Sequence, residues 1–256
     1  MTETNQPVVY QLDGSVARIT LNRPEKKNAL SDNLIAALKD SLKRAGGDEA
    51  ARVVIIKGAG SDFCSGADLS ALQKIADSSI ADNAADARSL MEVFTLIRDF
   101  PIPVVAAVHG RALAGGCGLA SACDIVLASA SARFGYPEVK IGFVPAMVAA
   151  ILRRNVSEKR AFELLSLGRE ISAGDAMEIG LVNRVFPDES FESDIAGYVN
   201  EFSNVSRSAV SLTKKLLYQM DGLAFRDALE TGADINVIAR MTADCQKGIA
   251  RFLKRV

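Results

Sequence analysis

The pattern of apolar and polar positions divides the chain into two parts of different character. Strand-like runs, helical runs and glycine-rich segments alternate up to about residue 190, and helical periodicity alone continues from there. The first two runs, Val8–Leu12 and Ser15–Leu21, are β-rich and flank Asp13-Gly14, a dipeptide typical of hairpin turns. We therefore predict a β-hairpin at the start of this pattern.

A strand, a helix and a strand follow one another in the next segment. Three leucines recur every four residues after Ser31, a favoured helix N-cap, and Gly46 and Gly47 end this pattern. Residues 52–58 contain the apolar run Val53–Ile56 and are predicted to form a buried strand. Because a helix separates this strand from the hairpin, the two should pair in parallel through a crossover.

The remaining pattern predicts more strands and then helices only. A helix over residues 82–99 should bury Leu90, Met91, Phe94 and Ile97, and a strand should follow at 104–108. Strands are predicted at 124–129 and 181–186, with an irregular segment at 132–145. Helices are predicted at 146–155, 157–167, 173–179, 191–202, 208–220 and 224–252. We place a boundary near residue 195, with the last helices packed on the main body or on a neighbouring subunit.

Composition and charge narrow the class of protein. The 256 residues are 49% hydrophobic and 24% charged, with a net charge of −1, so nothing favours nucleic acid as a partner. No apolar run reaches the length of a membrane span and the first residues lack signal-peptide character, so we expect a cytoplasmic protein. The single histidine and four cysteines without a CxxC pair predict reduced thiols and no metal site.

Four glycines within ten residues mark a candidate site. They are Gly110, Gly115, Gly116 and Gly118, placed after the strand at 104–108. A helix starting at Gly115 would present unpaired N–H groups at its positive end, and bare backbone would let an anion or oxyanion approach. Close packing of the segments is an alternative reason for the glycines. Neither GxxxxGK[ST] nor GxGxxG is present, so a phosphate loop is not indicated.

Four segments, residues 22–30, 63–69, 109–124 and 134–145, resemble in order and spacing those of the enoyl-CoA hydratase/isomerase (crotonase) family. The resemblance continues through residues 171–185 and the helical tail. It implies an α/β fold, a spiral of repeated ββα units over residues 1–195. It also implies a C-terminal helical region, residues 196–256, that builds homotrimers, often paired into hexamers.

The same resemblance implies an acyl-CoA thioester as substrate and an enolate-like intermediate. The N–H groups of Ala67 and Gly115 would bind the thioester oxygen. Coenzyme A is then part of the substrate, and no separate cofactor is expected. Main-chain groups of Ser65, Ala67 and Leu69 would read the adenine. Candidates for the CoA phosphates are Arg23, Lys26, Lys27, and Lys254 or Arg255.

The carboxylates decide which reaction the family resemblance favours. Hydratases of this family use two glutamates; the second is present here as Glu138, whereas Gly118 stands at the position of the first. One carboxylate suffices for a Δ3,Δ2-enoyl-CoA isomerase, but the segment 136–152 together with Gly118 resembles a bacterial subgroup that includes methylglutaconyl-CoA hydratases of leucine breakdown. We therefore favour hydration of a short or branched 2-enoyl-CoA. The isomerase and a non-catalytic acyl-CoA-binding subunit remain alternatives.

Four other polar residues receive separate interpretations. Arg111 is a candidate partner for a substrate carboxylate, or else an exposed loop residue. His109 should hold a loop by a hydrogen bond, since no nucleophile elbow or second histidine accompanies it. Asp124 is interpreted as a structural carboxylate, and Asp68 as a helix cap.

Overall fold

The computed structural model describes residues 6–68, 73 and 77–254. Within these ranges the strands are β1 Val8–Asp13, β2 Val16–Leu21, β3 Val53–Gly58, β4 Val104–Val108, β5 Arg111–Leu113, β6 Ile125–Ser129, β7 Arg133–Gly135, β8 Glu170–Ser172 and β9 Arg184–Phe186. The α-helices are α1 Asp32–Gly47, α2 Ile80–Arg98, α3 Gly115–Ala122, α4 Ala146–Asn155, α5 Glu158–Leu167, α6 Ala173–Glu178, α7 Phe191–Asn200, α8 Arg207–Gln219, α9 Phe225–Met241 and α10 Ala243–Leu253. Two short 3₁₀ turns near the site are Pro24–Lys26 and Pro137–Ile141.

Two sheets organise the described chain. The larger has the order β1-β2-β3-β4-β6-β9, and only its β1–β2 pair is antiparallel. The parallel pairs follow from the crossovers, because α1, α2 and α3 each lie between consecutive strands of this sheet. The smaller sheet, β5-β7-β8, joins the glycine-rich segment to the segment that carries Glu138.

Both faces of the large sheet are covered by apolar side chains. One face joins α1, α2, α3 and α4 in a single core, and the other packs against α7 through Phe191, Ile195 and Val199. Residue 195 therefore lies inside a helix that is packed on the sheet. The division into a core of residues 1–195 and a helical region of 196–256 stays a prediction.

The elements with strong local signals are confirmed. The hairpin forms around Asp13-Gly14, with Gly14 at φ 58°. The Ser31 side chain accepts the Leu34 N–H of α1 at 3.4 Å. Strands β2 and β3 pair in parallel as predicted.

Three expectations about the elements were wrong. Met91 is 48% exposed, because it lies on the outer face of α2, whereas Phe94 and Ile97 are buried. The segment 224–252 is two helices, since Thr242 is extended at ψ 145° and its hydroxyl caps the Cys245 N–H of α10. The irregular segment 132–145 contains β7, whose three residues pair with two other strands.

Helix α8 is joined to the body by a buried ion pair. Lys214, the buried residue of α8, donates to Asp124 at 2.7 Å and to the Ile97 carbonyl at 2.9 Å. Asp124 also accepts the Val104 N–H at 2.7 Å and the Tyr218 hydroxyl, which confirms its structural role. None of the described helices is long and apolar enough to cross a membrane.

Candidate active site

The N–H of Ala67 takes no part in the hydrogen bonds of the bridge that Ala67 forms with Leu30. Leu30 and Ala67 form a parallel bridge, in which Leu30 N–H donates to Gly66 O at 2.7 Å and Asp68 N–H donates to Leu30 O at 3.1 Å. Backbone groups of adjacent residues in an extended chain point to opposite sides. The Ala67 N–H therefore faces the other side of the bridge, where no backbone oxygen of the described residues accepts it.

The N–H of Gly115 lies at the start of α3. Gly115 is the first residue of this helix, so its N–H has no intrahelical partner and lies at the positive end of the helix dipole. The cap residue Ala114 has φ 49° and ψ −128°, a conformation that L residues rarely adopt. Ala114 is held there by its N–H bond to Gly135 O at 2.8 Å and by accepting the Gly118 N–H at 2.9 Å.

The segments that carry the two amides are in direct contact. Leu113 N–H donates to Cys64 O at 3.0 Å, and a Cβ on Gly66 would lie 2.8 Å from the Ala114 Cβ. A Cβ on Gly116 would lie 2.4 Å from Cys64 O, so Gly116 is required for this approach. Both interpretations of the glycine stretch therefore apply, because close packing at Gly116 also brings the Gly115 amide beside the loop of Ala67.

Glu138 supplies a half-buried carboxyl group. It lies in the turn Pro137–Ile141, and its Oε2 atom is buried without a hydrogen-bond partner among the described residues. Burial raises the pKa of this carboxyl above its ordinary value, opposed by a hydrogen bond to its own backbone. Its charge acts on the Cys117 thiol and the Tyr136 phenol, which places the carboxyl beside α3.

Gly118 faces hydrocarbon and has no room for a side chain. A Cβ there would lie 2.3 Å from Val148 Cγ1 of α4 and 3.4 Å from Phe94 Cζ of α2. These two side chains fill the space that a glutamate would need. A Gly118→Glu substitution would accordingly require Val148 to move or to be made smaller.

The candidate CoA-binding residues fall into two groups. Lys26 and Lys27 are exposed at the first 3₁₀ turn, and the Lys27 carbonyl accepts the Ser65 N–H at 3.0 Å, so these residues are neighbours. The Arg23 guanidinium is engaged by Asp68 Oδ2 and by Ala29 O, both at 2.9 Å.

The other CoA-binding candidates lie at the edges of what is described. Lys254 is exposed just after α10, and Leu69 and Arg255 lie outside the described residues. The CoA-binding roles all stay predictions.

The sequence-based interpretations of Arg111 and His109 can both be compared with the structure. The His109 ring Nε2 lies 2.9 Å from Gly60 O, which confirms that it holds a loop. The Arg111 Nε lies 3.8 Å from a carboxylate oxygen of Glu170 on β8, so this cation already has a partner.

One cavity bounded by described residues is lined by neither the two amides nor the Glu138 carboxyl. It has a volume of about 530 Å³ and lies between α8 and the C-terminal end of α3, where Phe94, Ile151 and Leu217 line it. Glu138, Ala67 and Gly115 are not among its lining residues. The candidate active site is defined by the two amides and the carboxyl.

Comparison with known proteins agrees with this geometry. The family model described as Enoyl-CoA hydratase/isomerase matches residues 11–256. The chain belongs to the enoyl-CoA hydratase/isomerase family. Members of this family are enzymes that act on acyl-CoA thioesters, so this chain is an enzyme of that kind.

Several relatives of this hydratase/isomerase cover nearly all of it. A 2,3-dehydroadipyl-CoA hydratase of Escherichia coli is 32% identical, over 94% of this chain and 92% of its own. The mitochondrial enoyl-CoA hydratase domain-containing protein 3 of Xenopus laevis is 34% identical, over 96% and 83%. The crystal structure of an enoyl-CoA hydratase from Mycobacterium smegmatis superposes with a TM-score of 0.93 at 32% identity, covering 97% and 96%. These matches show the crotonase fold for this family member.

One residue that shapes this family member's site was missed from the sequence. Asn28 is buried at φ 54°; its side chain accepts the Arg23 N–H at 2.9 Å and donates to Ala59 O and Asp62 O at 2.8 and 2.7 Å. It thereby fixes the loop between Arg23 and Leu30, whose far end pairs with Ala67. Asparagine tolerates positive φ better than most residues, and this was the available signal.

Proposed function

We propose that this enzyme is a hydro-lyase that adds water reversibly to a short or branched 2-enoyl-CoA. The observation that carries the proposal is the combination of two amides, at Ala67 and Gly115, with the buried Oε2 atom of Glu138. None of these three groups has a hydrogen-bond partner among the described residues. Paired donors suit an oxygen that gains negative charge, and a raised pKa suits a group that both gives and takes a proton. The hydratase names of the relatives support the same reaction.

In the proposed mechanism the two amides bind the thioester oxygen, and Glu138 first accepts and then donates a proton. The thioester oxygen binds between the two amides, which stabilise the enolate that forms when water attacks C3. Glu138 takes a proton from that water, and its carboxylic acid then returns a proton to C2. The new bonds are C3–O and C2–H, and Glu138 ends in its starting state. Each amide donor is worth about 3 kcal/mol of barrier at such a site.

The substrate class is proposed to include acyl-CoA thioesters whose acyl group carries a free carboxylate, such as methylglutaconyl-CoA. The relative named for 2,3-dehydroadipyl-CoA supports a dicarboxylic acyl group. Arg111 is the candidate partner of that carboxylate. Because Glu170 already lies 3.8 Å from Arg111, the substrate would have to compete with this surface pair, which is worth little in water.

The test follows the absorbance of the enoyl thioester. Crotonyl-CoA and 3-methylglutaconyl-CoA should lose this absorbance with the enzyme, and Glu138→Gln should abolish the loss because Gln cannot exchange the proton. The exposed Glu25→Gln variant is the matched control and should keep full activity. An unchanged absorbance with every short or branched 2-enoyl-CoA would refute the hydratase proposal.

A Δ3,Δ2-enoyl-CoA isomerase is the second candidate, favoured by one observation. Val148 fills the space beside Gly118, so Glu138 would act without the second carboxylate that ordinary hydration employs in this family. An isomerase would convert 3-enoyl-CoA to the conjugated 2-enoyl-CoA and stop there. Formation of 3-hydroxyacyl-CoA from the same substrate would select the hydratase instead.

A further inference from the structure

We propose that Tyr136 is a positioning residue that fixes the Glu138 carboxyl relative to the start of α3, through a buried relay of hydroxyl groups. This inference rests on the proposed function of Glu138. Tyr136 does not face the reacting atoms itself, since it is 1% exposed and its hydroxyl points toward α3. It would act through the turn that follows it in sequence.

The direction of each hydrogen bond in the relay follows from counting hydrogens. The Ser121 Oγ donates to Cys117 O at 2.7 Å, and it lies 2.9 Å from the Tyr136 hydroxyl oxygen. A serine hydroxyl has a single hydrogen, so Tyr136 must be the donor in the second bond. The phenol is therefore anchored to the last turn of α3.

The pKa shifts of Tyr136 and of the neighbouring Cys117 keep the relay uncharged. Burial raises the pKa of Tyr136 well above its ordinary value and that of Cys117 to about 11. Both groups remain protonated at neutral pH. Glu138 is the carboxyl group of this cluster, and burial raises its pKa above the ordinary value.

Two hydrogen-bonded connections add to the β5–β7 pairing in holding the catalytic elements together. The first is the backbone bond from Ala114 N–H to Gly135 O at 2.8 Å, and the second is the Tyr136 relay to Ser121. Pro137 lies between Tyr136 and Glu138 and limits the backbone there. With both connections intact, the carboxyl and the Gly115 amide belong to one rigid unit.

The loss of the phenol should affect turnover more than binding. In Tyr136→Phe the ring still fills the core, but the turn is free to let the Glu138 carboxyl shift toward water. We expect kcat to fall by about 10-fold to 100-fold with little change in KM, which is the scale for displacement of a catalytic group. The apparent pKa of Glu138 in the pH profile of kcat/KM should move down toward its ordinary value, because hydration removes the cause of the rise.

The experiment combines three variants and a control. Ser121→Ala breaks the same relay from the other side and should give the same losses as Tyr136→Phe. The double variant should be no worse than either single one. Tyr218→Phe removes a phenol bonded to Asp124 away from the site, and should leave kcat and the pH profile unchanged.

The outcomes separate this inference from the proposed function. Full activity in Glu138→Gln would remove the proposed function and this inference together. An inactive Glu138→Gln combined with a normal kcat and pH profile in Tyr136→Phe would refute the positioning role alone. So would losses in Tyr136→Phe and Ser121→Ala that simply multiply in the double variant.

Discussion

At the scale of single residues, Glu138 combines burial with a need to ionise. Its pKa is raised in the folded protein, so the folded state disfavours the ionised carboxyl. Above the raised pKa, ionisation costs folding free energy, and below the ordinary carboxyl pKa that cost is absent. The group therefore lowers stability at neutral pH.

Glu138→Gln should accordingly raise the melting temperature at neutral pH. The gain should shrink as the pH falls through the raised pKa and vanish below the ordinary carboxyl value, where both side chains are neutral. Thermal denaturation of the two proteins across this range measures the difference. A gain that is constant with pH would mean that the carboxyl is hydrated in the folded enzyme.

Gly66 offers a test of the contact between the two amide segments. Gly66→Ala would place a Cβ 2.8 Å from that of Ala114 at φ +96°, whereas Gly222→Ala would meet the same kind of backbone strain at φ +83° in open space. Each should lose about 1 to 2 kcal/mol from the positive φ. Only Gly66→Ala should also lower kcat/KM, by more than about 10-fold, because it displaces an oxyanion donor. Equal kinetics in the two variants would contradict this placement.

At the scale of elements, the attachment of α8 to the rest of the protein depends on the buried charge of Lys214. Lys214 is 8% exposed, and its desolvation outweighs the attraction of Asp124, so the pKa of the amine is lowered. Removing one partner of a buried pair leaves the other charge uncompensated.

Lys214→Met should therefore destabilise the protein by about 3 kcal/mol, whereas Lys215→Met on the exposed side of the same helix should change stability by less than about 0.5 kcal/mol. Chemical denaturation measures both. Similar midpoints for the two variants would show that the pair with Asp124 contributes nothing.

Local signals explain which elements could be predicted. The Asp13-Gly14 turn and the Ser31 cap act within a few residues, so the sequence alone reveals them. Strands β5, β7 and β8 have three residues each and pair across tens of residues of chain, so no local pattern indicates them. The break at Thr242 was missed because the apolar periodicity continues through it, although Thr followed by Asp244 is a recognisable helix start.

Only part of the candidate site could be predicted from the sequence. Composition and spacing pointed to an oxyanion site at Gly115, but Glu138 and Ala67 were chosen by family resemblance alone. The contact between Gly118 and Val148 depends on how α3 packs against α4, whereas the Tyr136 relay depends on how the residue after β7 lies against α3. Neither can be derived from one sequence, because both require the relative position of two separate elements.

At the scale of the whole molecule, the last two helices present apolar side chains to water. Val237, Ile238 and Met241 of α9 are 60%, 51% and 78% exposed, and Phe252 and Leu253 of α10 are 68% and 66% exposed. Exposed apolar surface of this extent marks an interaction site. We predict that α9 and α10 form the interface of the expected trimer.

Native mass should then be three times 27.2 kDa, or six times that value where two trimers pair. Met241→Asp, which places a charge in this interface, should shift the mass toward that of one chain. Phe162→Asp changes a side chain of α5 that is 73% exposed and should keep the trimer. Light scattering after size exclusion measures each mass, and a monomeric parent protein would contradict the prediction.

The two groups proposed to hold the thioester oxygen have a feature that side-chain catalysis lacks, since both belong to the main chain. Every amino acid except proline carries that hydrogen, so ordinary substitutions at positions 67 and 115 cannot delete it and can only tilt it. The conformation of the loops around Gly66 and Ala114 therefore has to be kept for the oxyanion site to be kept. The amino acids at positions 67 and 115 can change without loss of the two donors.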